Sequence, residues 1–222
     1  MRLKGYILLS ALVVFGLIVA SQAQAHNPRL VYGEDATLEK AIIINNPDIS
    51  QAFYARLKGW SEYYQFTIST PQEFYFQTLV PAVKDIQKNI SADLISASTG
   101  ETIANLKAEE ATWPAYYEEF AGDNYFKGPE KKLNLEPGSY LIKIYNPSNE
   151  GKYVLVVGQK ELFTPKEIVR TLKVMPTLKT YFDESPFRAY FNYVGLFLAG
   201  LIFIFFVLVL LIRLAITRLR RK

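Results

Sequence analysis

The sequence predicts a mainly β protein: an antiparallel β-sandwich or jelly-roll-like ectodomain, a short helical stalk and one C-terminal transmembrane helix. Three observations carry this. Ala189 to Ile212 runs without a single charged side chain; at ~1.5 Å per residue it makes about 36 Å of helix, enough to cross a hydrocarbon core of ~30 Å. Ahead of it, several short segments alternate apolar and polar residues with turn residues between them, the rhythm of a sandwich rather than of alternating strands and helices. Thr164-Pro165-Lys166-Glu167 then reads as a capping box with proline at the first helical position, which opens the stalk.

These signals divide the chain into a signal peptide (1–25), an extracytoplasmic sandwich (26–160), a helical stalk (161–188), a membrane span (189–212) and a basic tail (213–222). In the first segment Arg2 and Lys4 precede an apolar run, Tyr6 to Ala20, too short for a span. Ala23-Gln24-Ala25 supplies a small-residue cleavage signature, and cleavage there leaves His26 at the mature terminus. The alternative is an uncleaved first anchor.

Topology follows from charge. Arg213, Arg218, Arg220, Arg221 and Lys222 lie after the span with no acid among them. The positive-inside bias puts this tail in the cytoplasm and the sandwich outside, as for a single-pass protein of the plasma (inner) membrane. Tyr190 and Tyr193 fall at the outer interface. The span has no ionisable residue, so it reads as an anchor rather than an ion path. The chain has 25 basic and 21 acidic residues, but seven of the basic ones sit in the leader and tail. The remaining domain is slightly acidic, which argues against nucleic acid as a partner. Cysteine is absent, which excludes disulfides, thiolate metal sites and thiol catalysis.

Within the domain, Arg29–Tyr32 and Ala41–Ile44 are the first strand candidates. Asn46-Pro47-Asp48 looks like a helix start, with Ile49, Ala52, Phe53 and Leu57 on one face and Gly59 as the stop; the spacing predicts a helix over 47–57. Tyr64, Phe66 and Ile68, then Phe74 and Phe76, alternate with more polar neighbours and predict strands. So do 92–97, 103–106, 131–135, 140–145 and 153–157. Between Glu109 and Gly128 the alternation fails, and a long loop with one helical turn is expected. After the capping box, Ile168, Leu172 and Met175 share a face, Pro176 is expected to end or kink the helix, and Ser185-Pro186 to cap the membrane helix.

His26-Asn27-Pro28-Arg29-Leu30-Val31, Asn46-Pro47-Asp48-Ile49-Ser50, Phe53-Tyr54, Leu57-Lys58-Gly59, Gly128-Pro129-Glu130, Pro137-Gly138-Ser139-Tyr140 and Ser185-Pro186 resemble a family of uncharacterised bacterial single-pass envelope proteins. Its members have a leader, a β-rich ectodomain and a C-terminal span, and the resemblance implies no activity. PGSYLIKIYNPSNEGKYVLVVG is similar, more weakly, to the hairpin of the bacterial pre-peptidase C-terminal β-sandwich. That similarity implies a fold only.

Three constellations are candidates for chemistry. The 109–128 segment carries Trp113, Tyr116, Tyr117 and Tyr125, rings that grip a ligand or partner if exposed and plug the sandwich if buried. His26 is the sole histidine; at a mature terminus its amine and imidazole suit copper, but carboxylates or Tyr32 must complete the site. Glu118, Glu119, Asp123 and Glu130 offer oxygen ligands or a hydrolytic carboxylate pair, without the spacing of a calcium loop. No nucleophile elbow, phosphate loop, dinucleotide fingerprint or zinc-protease motif occurs, and no cofactor is implied. The reading is a non-enzymatic binding or accessory module of the cell envelope. Its partners are the lipid bilayer and an envelope or membrane protein. The alternatives are a copper-binding envelope protein using His26 and a hydrolase using acids of the aromatic segment. A sensor would need a cytoplasmic output, which the ten residues after the span do not supply.

Overall fold

A computed structural model describes residues 26–31, 34–119, 121–162 and 164–220. The expected leader lies outside them, as do Tyr32, Gly33, Phe120, Phe163, Arg221 and Lys222. The strands are β1 (Asn27–Leu30), β2 (Ile42–Ile43), β3 (Gln51–Lys58), β4 (Glu62–Ile68), β5 (Gln72–Pro81), β6 (Ser91–Ser96), β7 (Thr102–Leu106), β8 (Ala115–Glu118), β9 (Asp123–Leu135), β10 (Gly138–Tyr145) and β11 (Glu150–Val157). Two helices follow, α1 (Pro165–Tyr181) and α2 (Tyr193–Leu219), joined through a 3-10 turn at Pro186–Tyr190.

The strands make a β-sandwich of two mixed sheets. One has six strands in the order β1-β3-β11-β5-β9-β8, the other five in the order β2-β4-β10-β6-β7. The pairings are antiparallel except where β1 meets β3 and β2 meets β4, so the two parallel pairs come from the short N-terminal strands.

The five-stranded sheet behaves as its alternation predicts. Tyr64, Phe66 and Ile68 of β4 and Tyr140, Ile142 and Ile144 of β10 point into the sandwich, where Phe66 stacks on Phe74 and on Tyr140. The opposite face of β4, Tyr63, Gln65 and Thr67, stays half-buried or exposed. The six-stranded sheet is covered on both faces. Phe53, Ala55 and Leu57 of β3 and Tyr153, Leu155 and Val157 of β11 fill the sandwich. Ala52, Tyr54, Val154 and Val156 face the other way, into a second core formed with Met175, Leu178, Tyr181 and Phe182.

This double coverage overturns the helix expected over 47–57. Asn46, at φ 53°, and Pro47-Asp48 make a turn, and Gln51–Lys58 is a central strand. A strand buried on both faces is apolar at every position, and its residues at three- and four-residue spacing imitate a helical stripe. The long loop expected over 109–128 is half strand: β8 and the first half of β9 form a hairpin that extends the six-stranded sheet.

α1 begins as the capping box predicts, with Thr164 Oγ1 accepting from Glu167 N at 3.2 Å. It does not end at Pro176. Proline removes the N–H that would bond the carbonyl four residues back, at Leu172. The Tyr190 hydroxyl donates to that carbonyl at 3.2 Å, while the flanking residues hold the helix on the second core. Ser185-Pro186 opens the 3-10 turn instead of capping the long helix. Asn192 caps it, its Oδ1 accepting from Val194 N and Gly195 N at 3.0 and 3.3 Å.

Candidate functional site

The hairpin β8–β9 separates the four aromatic candidates. Trp113, at φ 51°, turns its ring into the sandwich, and its Nε1 donates to Ala108 O at 3.0 Å. The ring lies against Gly128, where a Cβ would stand 2.6 Å from it. Tyr125 is buried in the second core; its hydroxyl bonds that of Tyr54 at 2.8 Å and its ring meets Phe182 edge-on at 5.1 Å. Tyr116 is half-buried under the Lys127 ammonium, 4.1 Å from the ring centre. Tyr117 is 54% exposed.

Three of the four candidate acids hold structural partners. Glu118 Oε2 accepts from Ala121 N at 2.8 Å and so closes the hairpin turn. Glu130 Oε2 accepts from the Tyr75 hydroxyl at 2.5 Å. Asp123 pairs with Lys179 of α1, Oδ1 to Nζ, at 2.5 Å. Burial lifts the Asp123 carboxyl to about 6 despite the bond from Lys179. Glu119 is exposed.

His26 is half-buried beside Ser50, Nδ1 to Oγ at 2.5 Å. Burial, and then the charge of Lys127, lowers its pKa to about 4, which leaves the ring neutral at physiological pH. Among the described residues, no three of the His, Asp and Glu side chains gather to hold a metal ion.

The base of α2 is wired into the sandwich by residues the sequence did not single out. Ala121 O, in the β8–β9 turn, accepts from Lys179 Nζ at 2.7 Å and from Asn192 Nδ2 at 2.6 Å. Ala189 and Val194 are buried in the second core, and Leu198 packs against it. Gly195 permits the close approach: a Cβ there would stand 1.6 Å from Tyr190 O. Two signals were legible. Lys179 falls on the apolar stripe of Met175, Leu178 and Phe182, and Asn192 is the one amide in the uncharged run.

At the other end of α1 an open groove of about 490 Å³ lies beside the edge strands β1 and β2. Its lining includes Arg29, Lys40, Asn46, Gln51, Glu167 and Arg170. Arg29 is paired with Glu167 at 2.9 Å, which ties β1 to the first turn of α1. The Gln51 amide donates to Asn45 O at 2.9 Å and holds the loop at the rim. From Glu167 to Lys179 is about 18 Å along the helix axis, so the groove and the base of α2 occupy opposite ends of α1.

No protein-family profile and no curated protein sequence matches the chain. Among solved structures it is similar to the pre-peptidase C-terminal domain of a collagenase from Bacillus anthracis, at 14% identity and TM-score 0.32, over 62% of this chain and 98% of that one. It is also similar to CorA, a surface-associated copper-binding protein of Methylomicrobium album, at 9% identity and TM-score 0.28, over 54% of this chain and 97% of that one. A β-glucosidase from Paenibacillus barengoltzii gives 13% identity and TM-score 0.27, over 60% of this chain but 13% of that one. Likenesses of this size say nothing about the site.

Proposed function

We propose that the chain is a membrane-anchored binding or accessory module of the cell envelope, its sandwich outside the cytoplasm and its tail inside. The observation that carries this reading is the position of the groove. It lies at the end of α1 remote from the apolar helix, on a domain fastened to that helix by Asn192 and Ala121. α2 runs for 27 residues, carries no charge before Arg213 and is unburied along its apolar stretch, so it is long and apolar enough to anchor the domain. A groove so placed faces away from the bilayer. Its lining sets Arg29, Lys40 and Arg170 against Glu34 and Glu167, with Arg29 paired to Glu167; the small basic excess and the amides suit a hydrogen-bonding partner surface with some acidic groups.

The test is light crosslinking of the full chain in native membranes, with partners identified by mass. The parent is compared with a Lys40→Glu/Arg170→Glu variant that is shown to melt at the parental temperature. A stoichiometric envelope partner lost in the variant supports the reading. An identical partner set in both removes the groove as the binding surface. Protease added from the cytoplasmic side that removes the sandwich overturns the topology.

A further inference from the structure

Five aromatic side chains outside α2 are exposed among the described residues: Trp60, Tyr117, Phe187, Tyr190 and Phe191. Four gather around the base of α2. Phe187, in the 3-10 turn that leads into the helix, and Phe191, just after it, are 84% and 85% exposed. Tyr190 lies in that turn. Tyr117 comes from the far side, across the hairpin: a Cβ on Gly122 would lie 3.3 Å from both the Tyr117 hydroxyl and the Asn192 Cβ. In water such a cluster is unfavourable, and phenylalanines this bare at a domain surface mark an apolar partner.

Helix length fixes where that partner is. From Val194 to Arg213 the rise is about 29 Å, one hydrocarbon thickness. With Arg213 at the far boundary, Val194 stands at the near one. Val194 is nevertheless buried in the second core, and Leu198, about 6 Å deeper along the axis, packs against that core. The sandwich therefore does not hang clear of the bilayer on a free stalk. Its hairpin end descends beside the first turn of α2. Glu118 and Glu119 lie at the entry to the hairpin turn and Arg188 is exposed in the 3-10 turn, so this end stops among the headgroups rather than in the chains.

We infer that the β8–β9 turn and the 3-10 turn are seated in the lipid interface, with Tyr117, Phe187, Tyr190 and Phe191 at the headgroup–hydrocarbon boundary as a docking surface for the bilayer itself. The inference rests on the reading of α2 as a membrane span. Its consequence is a fixed orientation: the sandwich stands on its aromatic end, and the groove is held at a constant height above the surface.

The chain has no cysteine, so single cysteines report depth without a background. Thr67→Cys, Tyr117→Cys, Phe187→Cys, Phe191→Cys and Phe203→Cys are each labelled with a nitrobenzoxadiazole fluorophore. The full chain is placed in phosphatidylcholine–phosphatidylglycerol vesicles carrying nitroxide lipids, either at the headgroup or deep in the chains. Positions 117, 187 and 191 are expected to be quenched several-fold more than position 67 by the headgroup nitroxide, and position 203 by the deep one. Quenching at 203 with 117, 187 and 191 no different from 67 overturns the seat while the span stands. Absence of deep quenching at 203 overturns the span, and the seat with it.

Discussion

Lys179 of α1 and Asp123 of β9 form an ion pair sealed from solvent, with side-chain exposures of 2% and 0%. The lysine also donates to Ala121 O, so one ammonium joins the hairpin, the second core and the helix that leads to α2. Removing one member leaves the other buried without its partner. Lys179→Met is expected to destabilise the full chain by about 3–5 kcal/mol, whereas Lys179→Met with Asp123→Leu recovers most of the loss, since a buried pair and an apolar pair are near in stability. Urea unfolding of both variants measures it. Equal destabilisation of the single and double variants would show that the pair matters through packing and not through charge.

Trp113 and Gly128 are in similar mutual dependence. A Cβ at position 128 would meet the Trp113 ring at 2.6 Å and Thr78 O at 2.7 Å, and the carbonyl belongs to a paired strand that cannot retreat. The ring must therefore leave its place, and the β9 backbone at 128 must also shift away from Thr78 O. Gly128→Ala is expected to cost about 1–3 kcal/mol as overpacking and to shift tryptophan emission to the red, with exposed Trp60 as a constant background. A blue-shifted or unchanged spectrum would mean that the ring finds another buried position.

The limits of the sequence reading have a common physical cause. Strands covered on one face announce themselves: Tyr64, Phe66 and Ile68 alternate cleanly because their neighbours meet water. The central strand β3 does not, because α1 covers the outer side of the six-stranded sheet and asks for apolar residues at both parities; β8 is a four-residue edge strand whose positions are exposed or half-buried, so it has no buried parity to read. The same cover decided the aromatic candidates. Whether Tyr125 is a surface ring or a core ring depends on Tyr54 and Phe182, one far upstream and one far downstream, and neither is visible from the local pattern. The capping box and the apolar run were readable because both are local.

The Tyr190–Leu172 bond makes a further claim testable. If Tyr190 stands in for the amide that Pro176 lacks, its value depends on that proline. Tyr190→Phe is expected to cost about 1 kcal/mol in the parent and near nothing in a Pro176→Ala background, where the backbone N–H returns to Leu172 O. A double-mutant cycle on thermal unfolding reads the coupling. Additive effects would show the hydroxyl to be a bystander.

Glu62 sets an expected pH dependence. It is nearly fully buried at the start of β4 and accepts from the Tyr153 hydroxyl, which in turn bonds that of Tyr64 at 2.8 Å. Burial raises its pKa from 4.5 to about 7, against the opposing effects of the Tyr153 bond and of Lys58. The sign follows from proton counting. Between pH 4.5 and 7 the folded chain holds a proton on Glu62 that the unfolded chain has released, so stability falls as pH rises through this window. The full loss above it is up to about 3 kcal/mol. Glu62→Gln keeps an acceptor for Tyr153 and removes the titration. The variant should match the parent near pH 4 and exceed it at pH 8 in denaturant unfolding of the full chain. The difference between the two chains, not the raw profile, is the readout, because other carboxylates titrate in both. A variant that tracks the parent at every pH would place the Glu62 carboxyl in contact with water.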